Sequence, residues 1–441
     1  MSPRANGARS AGDSYLPGSG NGGYGVDSYD LDLRYRVMTN RLDGRAVLTI
    51  TTTQQLDSFS FDLTRLRVSR VRIEGQRGVK FAQTPHKLTV TPAASVAAGA
   101  VLAVTIDYSG TPGPRSSAWG AVGWEELEDG VLVAAQPSGA PTWFPCNDHP
   151  SDKSSYDIRI AAEQPYTVVC NGVLVESRVA AGIGHWHYRQ QEPTATYLAT
   201  VQIGQYVRTP VDLDGVASTL AYPRSLEARV KADFGDLGRM MEFFQASFGP
   251  YPFDGYTIVV TPDELEIPLE AQGLAIFGAN HADGAGGAER LVAHELAHQW
   301  FGNSVGLSTW KDIWLNEGFA CYAEWLWSEH RGGPTAAALA TQYRRQLSGL
   351  PTDLVLGDPG AALMFDDRVY KRGALVLHSL RMTIGDAAFF ELLRDWTSTY
   401  RHATATTADF RELAATFSQK SLAGLFDAWL DETSLPPTRV P

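Results

Sequence analysis

The sequence predicts an α+β fold in more than one domain: an N-terminal antiparallel β-sandwich or saddle, then a mixed and mostly helical domain. Three observations predict it. Between about residues 26 and 207, short runs of alternating apolar and polar residues recur, cut by Gly, Pro and Asp turn signals. After about Val207 the hydrophobic period lengthens to three or four residues. And 441 residues that are 44% apolar and 10% aromatic supply more than one hydrophobic core.

Residues 1–25 are rich in glycine and poor in apolar side chains, and read as a flexible arm. The alternation begins at Tyr29-Asp30-Leu31-Asp32-Leu33-Arg34-Tyr35, where every second side chain falls on one face. Further strands are expected at 46–52, 66–73, 87–90, 101–108, 156–160, 166–171, 185–188 and 196–203. In the second domain, 208–441, Phe234, Leu237, Met241, Phe244 and Phe248 repeat at helical spacing over 228–248, despite Gly235 and Gly238. Gly249-Pro250-Tyr251-Pro252 stops that helix. Strands follow at 256–260 and 273–277. Helices are expected at 288–302, 315–330, 335–347, 369–384, 387–400, 407–417 and 422–432. Thr406 and Asp409 supply capping side chains for the sixth of these.

Asp and Glu outnumber Lys and Arg by 49 to 37, a net charge of −12, which repels phosphate backbones and argues against nucleic acid as a partner. Cys146, Cys170 and Cys321 are too few and too scattered for a disulfide framework and read as buried thiols. The polar start lacks the apolar core of a signal peptide, and no window approaches the length of a membrane span. The expectation is a soluble, cytoplasmic protein with no membrane partner; oligomeric state is not legible.

The chemistry sits in Leu291-Val292-Ala293-His294-Glu295-Leu296-Ala297-His298-Gln299-Trp300, an H-E-x-x-H pattern inside a helical run. Two histidines four residues apart lie one above the other on a helix face, the placement that two zinc ligands need. Glu295 projects about 100° round the helix. There it can deprotonate a water whose pKa zinc lowers to about 7. A catalytic site takes a third protein ligand, and Glu317, 19 residues after His298 at the start of the next helix, supplies it. Glu324, seven residues further and so on the same face, is a candidate acceptor for a ligand imidazole, or else a solvated helix glutamate. His281, His330, His378 and His402 read as structural or surface residues, and Asp366-Asp367-Arg368 as a polar loop.

H-E-x-x-H followed by Asn316-Glu317-Gly318-Phe319-Ala320 resembles the gluzincin zinc aminopeptidases, the family of aminopeptidase N and the leukotriene-processing aminopeptidase. Two more blocks are similar to that family's: Trp143-Phe144-Pro145-Cys146-Asn147-Asp148-His149-Pro150 with Lys153, and Val369-Tyr370-Lys371-Arg372-Gly373-Ala374. The resemblance implies a thermolysin-like catalytic domain behind the β domain, in a short form without the family's C-terminal helical domain. It implies one zinc on His294, His298 and Glu317, Glu295 as general base and later proton donor, and Tyr370 as hydrogen-bond donor to the oxyanion. Glu270, with Gln136 assisting, would grip the substrate's free α-amine. The segment around Glu270 departs from the family's G-x-M-E-N: Ile267 replaces Gly, Leu269 replaces Met and Ala271 replaces Asn.

The expected function is therefore a zinc metallopeptidase, an aminopeptidase acting on peptides with a free N-terminus. An endopeptidase of the same class, a hydrolase of a non-peptide ligand and a non-catalytic peptide-binding scaffold are the alternatives. The side-chain preference of the first substrate pocket is built from scattered residues and is not legible.

Overall fold

A computed structural model of the chain describes residues 5–436, which fall into two compact units. The first runs to Val211 and takes in Ser218–Glu227 and Phe253–Asn280; the second takes Asp212–Ala217, Ala228–Pro252 and the chain from His281 onward. This differs from a single division after residue 207. Segments well beyond residue 207 join one sheet: strands Tyr206–Leu213, Val216–Pro223, Tyr256–Val260, Leu274–Phe277 and Leu269–Ala271 hydrogen-bond side by side in that order.

The first unit is built on a seven-stranded sheet. Its spatial order is Val173–Ala180, Ile183–Ala195, Lys153–Glu163, Tyr24–Arg36, Arg41–Thr52, Val101–Gly110 and Arg67–Ile73. Tyr29, Leu31, Leu33 and Tyr35 point alternately inward and are all buried, because a strand repeats every two residues. Full burial of such a side chain contributes about 1.5–3 kcal/mol. Most pairs are antiparallel, as expected. The exception is Tyr24–Arg36 on Lys153–Glu163, which run parallel with Leu31 opposite Ile158. The long stretch of chain between them removes the constraint of a hairpin. Residues 196–198 form a 3-10 turn rather than strand, so the last expected strand is only Val201–Gly204.

The expected flexible arm is corrected for residues 5–25; residues 1–4 lie outside the described ones. Gly7 N–H donates to Ser58 carbonyl at 2.8 Å and Gly22 N–H to Ala8 carbonyl at 2.9 Å. Asn21 donates from Nδ2 to Asp62 at 2.9 Å, while its backbone N–H donates to Asn147 Oδ1 at 2.6 Å. Buried Lys87 binds Gly20 carbonyl at 2.7 Å and Asp62 at 2.6 Å. Polar bonds to distant residues hold this segment, and hydrophobic periodicity carries no trace of them.

The second unit is helical: α1 Glu227–Asp233, α2 Leu237–Phe248, α3 Glu289–Ala297, α4 Trp314–His330, α5 Ala336–Leu347, α6 Asp367–Ile384, α7 Asp386–Thr399, α8 Thr407–Thr416 and α9 Ala423–Phe426. The single helix expected over 228–248 is broken at Phe234-Gly235-Asp236, where glycine's low helix propensity prevails over the apolar period. The last expected helix is a short α9 followed by a π turn, Asp427–Asp431. Asp366 is not loop: it caps α6, accepting from Arg368 N–H at 2.9 Å. Thr406 and Asp409 form the reciprocal capping box of α8. No described helix is long and apolar enough to cross a membrane.

Candidate metal centre

Helix α3 ends at Ala297, sooner than expected, but His298 keeps helical dihedrals and its N–H donates to His294 carbonyl at 3.1 Å. The two imidazoles therefore stay one turn apart, ring centres 4.7 Å from each other. Each ring is fixed through Nδ1. His294 Nδ1 lies 2.7 Å from Glu324 Oε1, and His298 Nδ1 lies 3.0 Å from Phe301 carbonyl. Acceptors at both Nδ1 atoms leave both Nε2 lone pairs for a metal. Both Nε2 atoms stand 3.4 Å from Glu317 Oε2.

Glu317 reaches them from the first turn of α4. A 3-10 turn, Trp310–Asp312, aims that helix, and Asp312 Oδ1 ties it to Thr407 Oγ1 at 2.6 Å. His294, His298 and Glu317 are buried and form the one group among the described residues whose ligand atoms converge within 4.8 Å. Two imidazole nitrogens and one carboxylate oxygen, with outer partners already in place, fit a catalytic zinc that keeps an open position. Without metal the charges of the cluster lean on one another. Burial alone would raise Glu317, but the imidazoles of His298 and His294 override it and hold it at about 2. Burial likewise lowers His294, and its hydrogen bonds to the Glu317 and Glu324 carboxylates raise it to about 9.

Glu295, buried, follows His294 on α3 and lies about 100° further round the helix. Tyr370 rides on α6, its ring 5.9 Å from that of His294 and nearly parallel to it. That approach depends on two glycines. A Cβ added to Gly373 would lie 2.6 Å from Gly318 Cα, so only a glycine pair lets α6 come this close to α4. Both glycines stand in the family-like blocks of the sequence, where nothing in the spacing reveals this contact.

Glu324 is the outer acceptor, not a solvated glutamate: its side chain is 2% exposed and also takes Arg290 Nη1 at 2.9 Å. Arg290 and Lys371 went unrecognised in the sequence. Both help His294 to keep Glu324 ionised against its burial. No motif marks them, since they meet Glu324 only through the packing of α3, α4 and α6.

The remaining two site residues belong to the first unit. Gln136 and Glu270 lie 134 positions apart in the chain, yet Gln136 Nε2 donates to Glu270 Oε1 at 2.6 Å. Glu270 sits on the short strand Leu269–Ala271, opposite Ala275. The turn that doubles this strand back passes through Gly273 at φ +69°, a conformation that favours glycine.

Residues 26–198 match the peptidase M1 N-terminal domain and residues 233–429 the peptidase family M1 domain. The crystal structure of an M1 zinc metallopeptidase from Deinococcus radiodurans superposes with a TM-score of 0.89 at 31% identity, covering 98% of this chain and 100% of that one. The chain belongs to peptidase family M1. A glutamate-to-alanine variant from the same organism, described as bound to a Tyr-Ser-Ala substrate, matches this M1 chain equally well, over 97% of it and 99% of that protein. Endoplasmic reticulum aminopeptidase 1 of Homo sapiens is 27% identical over 400 residues, 82% of this chain and 42% of its own. Aminopeptidase N of Lactococcus lactis subsp. lactis is 26% identical over 66% of this chain and 38% of its own. The M1 chain thus spans about two fifths of the length of the curated relatives it matches. Membership makes this a zinc metallopeptidase fold, and His294, His298 and Glu317 are the residues that would hold the zinc.

Proposed function

We propose that this M1 chain is an aminopeptidase that removes residues from the free N-terminus of peptides. The observation that carries the reading is the Gln136–Glu270 pair: a half-buried carboxylate, oriented by an amide from a distant strand end, suited to an ammonium group. Zinc, when bound, polarises the scissile carbonyl and acidifies a water. Glu295 takes the proton from the attacking water and returns it to the leaving amine. Tyr370 donates a hydrogen bond where charge develops on the carbonyl oxygen. Glu270, assisted by Gln136, holds the α-ammonium and so sets the register of the chain.

A second reading, an endopeptidase, is favoured by Ile267, Leu269 and Ala271, which replace the family residues around Glu270. The catalytic half of the proposal is tested by Glu295→Gln. The expected outcome is unchanged zinc content by metal analysis, with kcat down about 10²–10⁴-fold. A metal-replete variant of near wild-type activity would remove Glu295 from the mechanism.

A further inference from the structure

Glu324 does more than hold His294. The residue also lines a cavity of about 490 Å³ within the second unit, walled by Arg290, Trp325, Trp327, Arg331, Leu339 and Tyr343 among others. That is the volume of a small-molecule site, and none of the three zinc ligands lines it.

The polar groups of this cavity are unevenly committed. On the acceptor side, Glu324 has His294 on Oε1 and Arg290 on Oε2. Glu289 Oε1 takes Trp327 Nε1 at 2.7 Å and also Arg331 Nη1. The donors are less spent. Trp325 is 1% exposed, and its indole N–H has no hydrogen-bond partner among the described residues. A buried donor in that state is costly until an acceptor arrives. Arg290 is half exposed and bonds Glu324 through Nη1, which leaves its other N–H donors uncommitted among the described residues.

The walls add shape and sign. Trp325 and Tyr343 stack with ring centres 5.3 Å apart and planes 2° from parallel. The Lys371 ammonium lies 5.0 Å from the centre of the Tyr343 ring. Flat aromatic walls and the uncommitted donors of Trp325 and Arg290 suit a flat organic anion, since both lining carboxylates already hold cations.

We propose that this cavity is a regulatory site for a small aromatic carboxylate, whose ring packs beside the Trp325–Tyr343 stack and whose carboxylate takes Arg290. Binding draws Arg290 away from Glu324. Glu324 then keeps His294 and Lys371 but loses its Arg290 hydrogen bond, so the outer support of a zinc ligand loosens. The ligand lowers kcat and leaves KM unchanged, because it occupies a second site and acts through Glu324.

The test uses the zinc-loaded enzyme with indole-3-acetate as probe and indole-3-acetamide as its uncharged control. Calorimetry is expected to show one saturable site per chain for the acid. The amide, Arg290→Gln and Leu339→Trp, which fills the cavity without changing its charge, should each weaken binding about tenfold or more. Either variant decides alone if the other does not fold. Steady-state inhibition should be noncompetitive, and a chelator should strip zinc from the liganded enzyme about tenfold faster. Equal binding of acid and amide, binding that survives both variants, or competition with a peptide substrate would overturn the proposal. So would the lack of any saturable binding.

Discussion

At the scale of single residues, His294 uses both its nitrogens: Nε2 faces Glu317 and the metal position, and Nδ1 faces Glu324. Without metal the imidazole is held protonated between two carboxylates, and its pKa rises to about 9 from an ordinary value near 6.5. A raised pKa gives stability that is fully present below about pH 6.5 and is lost as pH climbs through about 9. Glu317 works in the opposite sense: held at about 2, it contributes above its ordinary range near 4.5 and fails only as pH falls through about 2. Zinc must displace the His294 proton, so its benefit grows as that proton leaves. The gain in Tm on adding zinc is therefore expected to increase between pH 6 and 9, measured by thermal denaturation of chelated and zinc-replete protein. A gain that shrinks over that range would contradict this account of the pair. The spacing of H-E-x-x-H and Glu317 made the ligands legible, because helix geometry converts sequence distance into position. Arg290, Lys371 and the Phe301 carbonyl had no such code.

Elements carry these residues into register. Helices α4 and α6 meet backbone to backbone at Gly318 and Gly373, which is what sets Tyr370 over His294. In an exposed helix, Gly→Ala usually stabilises by about 1 kcal/mol. At Gly373 the sign reverses, because the new methyl would lie 2.6 Å from the Gly318 backbone. Gly373→Ala is expected to cost about 1–3 kcal/mol in denaturant unfolding. It should also lower kcat, since α6 must shift with Tyr370 on it. Stabilisation with unchanged kcat would show that the close approach is not needed. Helices with a clear apolar period were legible to within a few residues, and the capping box of α8 was legible as side chains. The break at Gly235 was not, because periodicity scores the face of a helix and not the helix propensity of each residue.

Over the whole molecule, the residues least legible were those held by polar bonds across long sequence distances. The glycine-rich start is the example: residues 5–25 are tied to Ser58, Asp62, Lys87 and Asn147. Removing residues 1–22 takes away Asn21 and the Gly20 carbonyl, and strips cover from the buried Lys87–Asp62 pair. Uncovering groups of this kind costs about 2 kcal/mol or more. The truncated protein is expected to melt several degrees lower; an unchanged Tm would mean that the segment contributes nothing to the fold.

The central claim is that this zinc metallopeptidase is an aminopeptidase, with Glu270 and Gln136 proposed to hold the free amine of its substrate. The measurement that tests it most directly is hydrolysis of one peptide in two forms, free and N-acetylated, each with and without a zinc chelator. The account predicts cleavage of the free peptide, loss of cleavage on acetylation, and loss of all activity with the chelator. Equal cleavage of both forms, still abolished by the chelator, would contradict it and make the protein a zinc endopeptidase.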